Sequence, residues 1–202
     1  ESMLFITEGQ SAAGSIVSCR DVNTQAIFTM RGKPLNVCDL QRDVMYKNEE
    51  LYNLMRSLDI EDSLERLRYR KIILATDADV DGLHIRNLLL TFFLRFFESI
   101  VHDGFVHILE TPLFRVRNAK RTEYCYSEAE RDAVVKDLRS AEVTRFKGLG
   151  EISPAEFKRF IGPEMRLTPV HLANRHSVPA ILGFYMGRNT PERRQYIMER
   201  LV

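Results

Sequence analysis

The sequence is poor in cysteine and has no tryptophan, and the scarcity of cysteine excludes several kinds of site. Its 202 residues include no tryptophan and only three cysteines, which are Cys19, Cys38 and Cys125. The cysteines are far apart, odd in number and without C-x-x-C spacing, so the chain is unsuited to a disulfide framework or a structural zinc site. This sparse use of cysteine favours a reducing, cytoplasmic environment.

An excess of charge of one sign is also missing. The chain has 29 lysines and arginines against 28 aspartates and glutamates, which gives a formal net charge of +1. A nearly neutral chain exerts no general attraction on a nucleic acid or on an anionic membrane. Any contact with a polyanion must therefore come from a few local cations.

The chain has no long uninterrupted apolar run. Its most apolar stretch, residues 88–101, contains Arg95 and Glu98. It is too short and too charged to cross a bilayer, so we expect a buried helix there. The sequence contains no signal-peptide pattern. It opens on Glu1 rather than Met and stops in the amphipathic run YIMERLV, which we interpret as a piece of a longer protein.

What the chain does contain is an alternation of strand and helix patterns. Strands are predicted at 3–9, 24–30, 70–77 and 105–110, with helical segments between them. Alternation at these lengths predicts an α/β fold built on a parallel sheet.

After the fourth predicted strand the pattern changes. A hairpin is predicted within 113–127, and capping residues at Ser127 and Ser153 mark two further helix starts. We therefore divide the chain into a core at 1–117 and a C-terminal extension at 118–202. The boundary is soft because no long flexible linker separates the two parts.

Three carboxylates lie directly behind the third predicted strand. The stretch ILATDADVDG, residues 73–82, contains Asp77, Asp79 and Asp81. Carboxylates this close together repel one another unless a cation or hydrogen-bond donors offset their charge. A solvated acidic loop is one interpretation, but the apolar segments on both sides of the motif leave little room for free solvation.

A calcium loop is a second interpretation, because D-x-D-x-D-G matches the opening of the EF-hand pattern. That pattern requires a bidentate glutamate at position 12, which in this chain is Leu88. An EF-hand loop also follows a helix, whereas residues 70–77 have the composition of a strand. The EF-hand interpretation is therefore disfavoured.

A magnesium site is the third and favoured interpretation. Mg²⁺ prefers hard oxygen ligands and takes one or two protein carboxylates beside waters and phosphate oxygens. Alternate residues of an extended strand end point the same way, so Asp77, Asp79 and Asp81 are predicted to share one side. Glu8, at the end of the first strand, is the natural partner, since parallel strands bring their C-terminal ends together.

Five motifs, in order and spread over almost the whole chain, carry a family resemblance. They are TEGQSAAGS (7–15), RGKPLN (31–36), TDADVDGLHI (76–85), PLFRV (112–116) and RFKGLGE (145–151). Together they resemble the toprim region of the B subunit of bacterial type IIA DNA topoisomerases, either gyrase or topoisomerase IV. The resemblance implies the toprim fold, a Rossmann-like parallel sheet flanked by helices, with a smaller α+β C-terminal tail.

The resemblance implies roles for the acidic residues. Glu8, Asp77 and Asp79 would be catalytic, and these three together with Asp81 would bind a divalent metal, normally Mg²⁺ with Mn²⁺ or Ca²⁺ as substitutes. Glu8 would also transfer a proton during religation. Family members usually have an aspartate where this chain has Gln10, and an amide brings no anionic charge to the site.

The resemblance also implies cations that face DNA. Lys33 and Lys147 are similar to the family's DNA-facing lysines, and a glycine beside each lets the backbone approach a phosphate closely. Further phosphate contacts are predicted at Arg31, His84, Arg86 and Arg145. The other interpretation, that these are ordinary surface cations, stays open at this point.

The partners that the resemblance implies are double-stranded DNA and a topoisomerase A subunit. The A subunit would supply the attacking tyrosine, and two copies of each subunit would form an A₂B₂ assembly in the bacterial cytoplasm, associated with the nucleoid and without a membrane partner. The C-terminal part, from His171 to Val202, resembles the tail that contacts the A subunit. The resemblance places ATP binding in an upstream domain only. Neither of the nucleotide-binding motifs G-x-x-x-x-G-K-[ST] and G-x-G-x-x-G occurs in the 202 residues.

Two other functions are kept as alternatives. One is a non-catalytic module that keeps the toprim fold and binds a divalent metal or DNA. The other is a toprim nuclease or primase, which the motifs RGKPLN and KGLGE disfavour.

Overall fold

The computed structural model describes residues 2–61, 63–172 and 177–199. Its strands are β1 (Met3–Glu8), β2 (Gln25–Met30), β3 (Lys71–Ala75), β4 (Val106–Glu110), β5 (Phe114–Arg117), β6 (Thr122–Cys125), β7 (Glu142–Arg145) and β8 (Arg166–Pro169). Its helices are α1 (Gly9–Val17), α2 (Arg42–Lys47), α3 (Glu49–Leu58), α4 (Val80–Phe96), α5 (Glu98–His102), α6 (Glu128–Asp137), α7 (Pro154–Phe160), α8 (Val178–Tyr185) and α9 (Thr190–Met198). Residues 173–176 and 200–202 of the predicted partner-contacting tail lie outside the described residues.

Five strands form the main sheet in the order β2-β1-β3-β4-β8. The first four are parallel, and β8 pairs with β4 in the antiparallel sense. The four parallel strands fall within the four strand segments predicted from the sequence, which confirms the α/β fold. The central positions of β1 and β3 are all buried, as expected for strands that helices cover on both faces.

Each face of the main sheet has its own apolar core. Leu4 and Leu74 point to the face that also buries residues of α3 and α4. Phe5 and Ile73 point to the opposite face, where α1 and α7 pack. Because successive residues of a strand point to opposite faces, the continuous apolar runs of β1 and β3 supply both cores.

The apolar run at 88–101 is helical, as predicted, but it is divided between two helices. Helix α4 begins at Val80 rather than at Gly82, and it ends at Phe96. Phe97 has a φ of −140° and separates α4 from α5. Over the part of the chain that the structure describes, no helix combines the length and the apolar character needed to cross a membrane.

A smaller antiparallel sheet in the order β6-β5-β7 follows the main sheet in the chain. The β5–β6 pair is the predicted hairpin, and α6 begins after the predicted cap Ser127. The later segments also return to the main body of the fold, because β8 joins the main sheet and Phe157 of α7 lies in the core beside Phe5. The division at residue 117 remains a prediction about the organisation of the sequence.

Candidate acidic site and its neighbouring cations

The site lies where β1 and β3 end side by side. The parallel register pairs Thr7 with Ala75, so the next residue of β1, Glu8, lies beside the segment that carries the aspartates. Asp77 is two residues beyond the end of β3, and Asp79 immediately precedes α4. The strand order and register thus bring Glu8 to the segment that carries the aspartates, as predicted from the ends of parallel strands.

The carboxylate of Glu8 is partly buried and incompletely hydrogen-bonded. One of its oxygens, Oε2, is buried and has no hydrogen-bond partner among the described residues. Burial raises the pKa of Glu8, and the charges of Asp77, Asp79 and Asp81 raise it further, against a backbone hydrogen bond from Asp77 that lowers it. A buried carboxylate oxygen without a donor, facing like charges, is costly unless a cation or a proton compensates it.

Asp77 is half-buried and held by a distant segment. Burial raises its pKa, and Asp79 and Glu151 add to that rise, while the backbone N–H of Leu149 opposes it. That N–H donates to Oδ1 of Asp77 at 2.8 Å. Leu149 had no predicted role, because nothing in the local sequence indicates a contact between positions so far apart in the chain.

Asp79 is the N-cap of helix α4. Its Oδ1 accepts a hydrogen bond from the backbone N–H of Gly82 at 2.7 Å. Aspartate is among the preferred N-cap residues, and the positive end of the helix dipole favours its negative charge. An aspartate just before an apolar helix was therefore a recognisable signal, although the sequence pattern predicted a helix start at Gly82.

The prediction that the three aspartates share one side of an extended strand end is wrong for Asp81. Helix α4 begins at Val80, so Asp81 lies on its first turn, where successive residues no longer alternate between two sides. Its Oδ1 lies 2.6 Å from Nζ of Lys33, and both side chains are exposed. The hydrogen bond and the charge of Lys33 lower the pKa of Asp81.

The donor chemistry of the site fits a divalent cation with hard oxygen ligands. Among residues 2–61, 63–172 and 177–199, no three acidic, histidine or cysteine side chains converge into a preformed metal cage. Mg²⁺ does not require one, because it keeps several waters and takes one or two protein carboxylates together with phosphate oxygens. The unpartnered Oε2 of Glu8 beside Asp77 and Asp79 meets that limited requirement.

The predicted DNA-facing cations differ in their surroundings. Lys33 forms the exposed ion pair with Asp81, and the side chain of Lys147 is exposed. Arg145 lies over the ring of Phe114 at 5.9 Å from its centroid. His84 is exposed on α4, and the backbone N–H of Arg31 donates to Glu50. Their contact with DNA stays a prediction.

Arg86 has the most unusual environment of these cations. Burial lowers its pKa, and its Nε is buried without a hydrogen-bond partner among the described residues. Its Nη2 lies 3.3 Å from Oγ1 of Thr76, the residue between β3 and Asp77. The buried Nε is not accessible to a phosphate from solvent, and the phosphate contact of Arg86 stays a prediction.

Comparison with known proteins identifies the family. The family model described as "Toprim domain" matches residues 3–111, which is more than half of the chain. The B subunit of DNA topoisomerase 4 from Borreliella burgdorferi is 61% identical over 204 residues and aligns with 100% of this chain. The B subunit of DNA gyrase from Thermus thermophilus is 41% identical over 211 residues and aligns with 98% of it.

A solved structure shows the same fold. The crystal structure of the Plasmodium falciparum topoisomerase II DNA-binding, cleavage and re-ligation domain matches 100% of this chain and 29% of its own, with a TM-score of 0.85 and 23% sequence identity. The chain corresponds to 34% and 33% of the two bacterial relatives, so it spans about a third of their length. It therefore belongs to the Toprim domain family and matches, over nearly all its length, one region of topoisomerase IV and gyrase B subunits.

Proposed function

We propose that this chain is the metal-binding part of the DNA cleavage and religation centre of a type IIA topoisomerase. The observation that carries the proposal is the buried, unpartnered Oε2 of Glu8 beside the charges of Asp77 and Asp79. The similarity to topoisomerase IV and gyrase B subunits supports it. A non-catalytic toprim module is the second candidate, and the experiment below separates the two.

The acids would hold Mg²⁺, with Asp81 at the margin of the site because Lys33 already binds it. Bound Mg²⁺ would neutralise charge on a phosphodiester under attack. The N-cap hydrogen bond from the Gly82 N–H orients the carboxylate of Asp79. Glu8 would also give or take a proton during religation, the general acid–base role that the family resemblance implies for it.

The cations around the site would bind the DNA backbone. Lys33, Lys147, His84, Arg31 and Arg145 are exposed, and their charges are local features of a chain with net charge +1. Contacts of this kind position a duplex through its phosphates without reading its sequence. DNA binding by this region is therefore expected to weaken steeply as salt rises.

The remaining parts of the reaction would come from outside this chain. We assign the attacking tyrosine to an A subunit, in an A₂B₂ assembly that acts in the bacterial cytoplasm. We assign ATP binding to another part of the B subunit. The similarity over about a third of the length of the named relatives supports this division of roles.

The test uses the full-length B subunit with its A partner, Mg²⁺, ATP and supercoiled plasmid. The wild-type protein is compared with Asp79→Asn, because asparagine is an equally good N-cap but cannot supply a carboxylate. We expect Asp79→Asn to lose double-strand cleavage and strand passage while it keeps ATP hydrolysis. Substituting Mn²⁺ or Ca²⁺ for Mg²⁺ then shows which ions support cleavage by the wild type.

Equal cleavage by the two proteins would overturn the catalytic role of the acidic residues. If variants of Glu8 and Asp77 kept both DNA cleavage and DNA binding, the non-catalytic module would be favoured. The matched control is Glu65→Gln, which also turns a carboxylate into an amide, at an exposed position on the 3₁₀ turn Leu64–Arg66. It should behave as wild type in every assay.

A further inference from the structure

The carboxylate of Asp77 is confined by residues from two other parts of the fold. Its Oδ1 accepts the hydrogen bond from the backbone N–H of Leu149. A methyl group added to Gly148 would lie 2.8 Å from Oδ2 of Asp77 and 3.3 Å from Oδ1. A methyl group added to Gly82 would lie 2.1 Å from the backbone carbonyl oxygen of Asp77. The backbone and the side chain of Asp77 are thus both in close contact with their neighbours.

The segment that confines Asp77, residues 147–151, is itself held in place. The backbone N–H of Lys147 donates to Oε2 of Glu151 at 2.9 Å. Leu149 is 3% exposed and packs in the core that contains Phe5. A methyl group on Gly150 would meet Oγ of Ser11 at 2.1 Å, so this segment also packs closely on α1. A segment fixed this way can restrain a side chain that it touches.

We propose that Gly148 and Leu149 are positioning residues that orient the Asp77 carboxylate for Mg²⁺ in preference to Ca²⁺. The Leu149 N–H takes one acceptor site of Oδ1 and so fixes the orientation of the carboxylate, and Gly148 is small enough for Oδ2 to stay where it is. Mg²⁺ demands nearly ideal octahedral geometry, whereas Ca²⁺ accepts six to eight ligands in flexible arrangements. A carboxylate with one fixed orientation therefore favours the smaller ion. The inference rests on the proposed metal-binding function of the site.

Gly148→Ala tests the proposal with little strain on the backbone. Gly148 has a φ of −146° and a ψ of 163°, a conformation that alanine adopts readily. The closest atoms that the new methyl group would meet all belong to the Asp77 carboxylate. The change should therefore act mainly by turning or displacing that carboxylate.

Metal affinity is measured by calorimetric titration of the metal-free, full-length B subunit with Mg²⁺ or Ca²⁺, without DNA and without ATP. We expect Gly148→Ala to raise the Kd for Mg²⁺ by about 10-fold, the usual effect of disturbing a partner of a metal ligand. We expect the Kd for Ca²⁺ to change much less. The thermal unfolding temperature of the metal-free Gly148→Ala protein should stay close to that of the metal-free wild type.

The matched control is Gly14→Ala in helix α1. Outside that helix, no described heavy atom lies within 4 Å of the position its methyl group would take. It should leave both metal affinities unchanged.

A second variant replaces the amide between residues 148 and 149 by an ester, which removes the Leu149 N–H and keeps the side chain. The ester variant should also bind Mg²⁺ more weakly than wild type, with a smaller loss of affinity for Ca²⁺. It keeps the test decisive if Gly148→Ala folds poorly.

An unchanged Kd for Mg²⁺ in both variants would overturn the proposal, as would equal losses for Mg²⁺ and Ca²⁺. Failure of the proposed function has a different signature. In that case wild-type protein binds no Mg²⁺ in the titration, and Asp79→Asn cleaves DNA as well as wild type in the reconstituted enzyme.

Discussion

The carboxylate of Glu156 joins helix α7 to the small sheet. It accepts hydrogen bonds from Nη1 of Arg115 at 2.8 Å, from the hydroxyl of Tyr124 at 2.9 Å and from Oγ of Ser153 at 2.7 Å. Burial alone would raise its pKa, but these donors outweigh burial and lower the pKa to about 2. Burial, together with the same contact, raises the pKa of Tyr124 to about 12.

Glu156→Gln should therefore destabilise this chain and remove part of its sensitivity to acid. The charged carboxylate stabilises the fold above its unfolded pKa of about 4.5, and this stabilisation is lost as pH falls from there towards 2. At pH 7 we expect a loss of about 2 kcal/mol, typical for hydrogen bonds to a charged group. The measurement is denaturant unfolding of wild type and variant at several pH values.

Glu65→Gln is the control for this change, because Glu65 is exposed. It should leave the free energy of unfolding within about 0.5 kcal/mol of wild type. If Glu156→Gln and wild type lost stability in parallel as the medium was acidified through this range, the contacts of Glu156 would not be the source of the acid sensitivity.

At the scale of elements, the N-terminus of α4 combines a structural and a chemical role. Asp79 caps the helix through the Gly82 N–H, and Gly82 packs against the backbone of Asp77. The start of the helix and the position of the acidic site thus depend on the same few contacts. Substitutions at Asp79 can separate the two roles.

Asp79→Ala should lower the free energy of unfolding by about 1 kcal/mol, because it removes the N-cap side chain. Asp79→Asn should keep nearly all of that stability, since asparagine caps helices as well as aspartate does. Thermal or denaturant unfolding of the metal-free protein gives the comparison. Equal stability of the alanine and asparagine variants would show that the 2.7 Å contact to Gly82 adds nothing to the helix.

At the scale of the whole molecule, the segments after residue 117 pack against the main sheet, which is built mostly from residues before 117. Strand β8 covers the edge of β4. Phe146, Phe157 and Phe160 are each no more than 6% exposed, in the same core as Phe5. The sequence boundary at 117 therefore divides a shared core.

A fragment of residues 1–117 should fold poorly by itself. Removing the later segments uncovers the β4 edge and one apolar face of the sheet, which favours aggregation. We expect binding of a hydrophobic dye and a broad thermal transition, whereas a fragment of residues 1–172, which keeps β8 and α7, should unfold cooperatively. Cooperative unfolding of the shorter fragment would identify 1–117 as an autonomous unit.

DNA binding by the full-length subunit with its A partner should depend on salt through Lys147. Each phosphate neutralised contributes about −0.9 to the slope of log K against log salt concentration. Lys147→Ala should therefore make that slope about one unit shallower. Lys136→Ala, at an exposed position of α6, is the control that should keep the wild-type slope. An unchanged slope for Lys147→Ala would remove this lysine from the DNA contact.

The sequence by itself determined the parallel sheet and the meeting of Glu8 with the aspartates. The period of apolar residues and the turn and capping residues are local signals, so they predict strands, the hairpin and the helix after Ser153 without knowledge of the fold. In a parallel sheet the C-terminal ends of all strands lie at one edge, so Glu8 and the aspartates were expected at the same edge. That β1 and β3 are direct neighbours there follows from the strand order of the folded sheet. The motifs of the chain were enough to indicate its family.

Only the tertiary structure decided how the acidic residues are presented. It moved Asp81 onto a helix beside Lys33, made Asp79 an N-cap, and placed the Leu149 N–H on Asp77 across 72 positions of the chain. It also returned β8 to the main sheet. Contacts between distant segments depend on how whole elements pack, and the local periodicity of a single sequence carries no record of that packing.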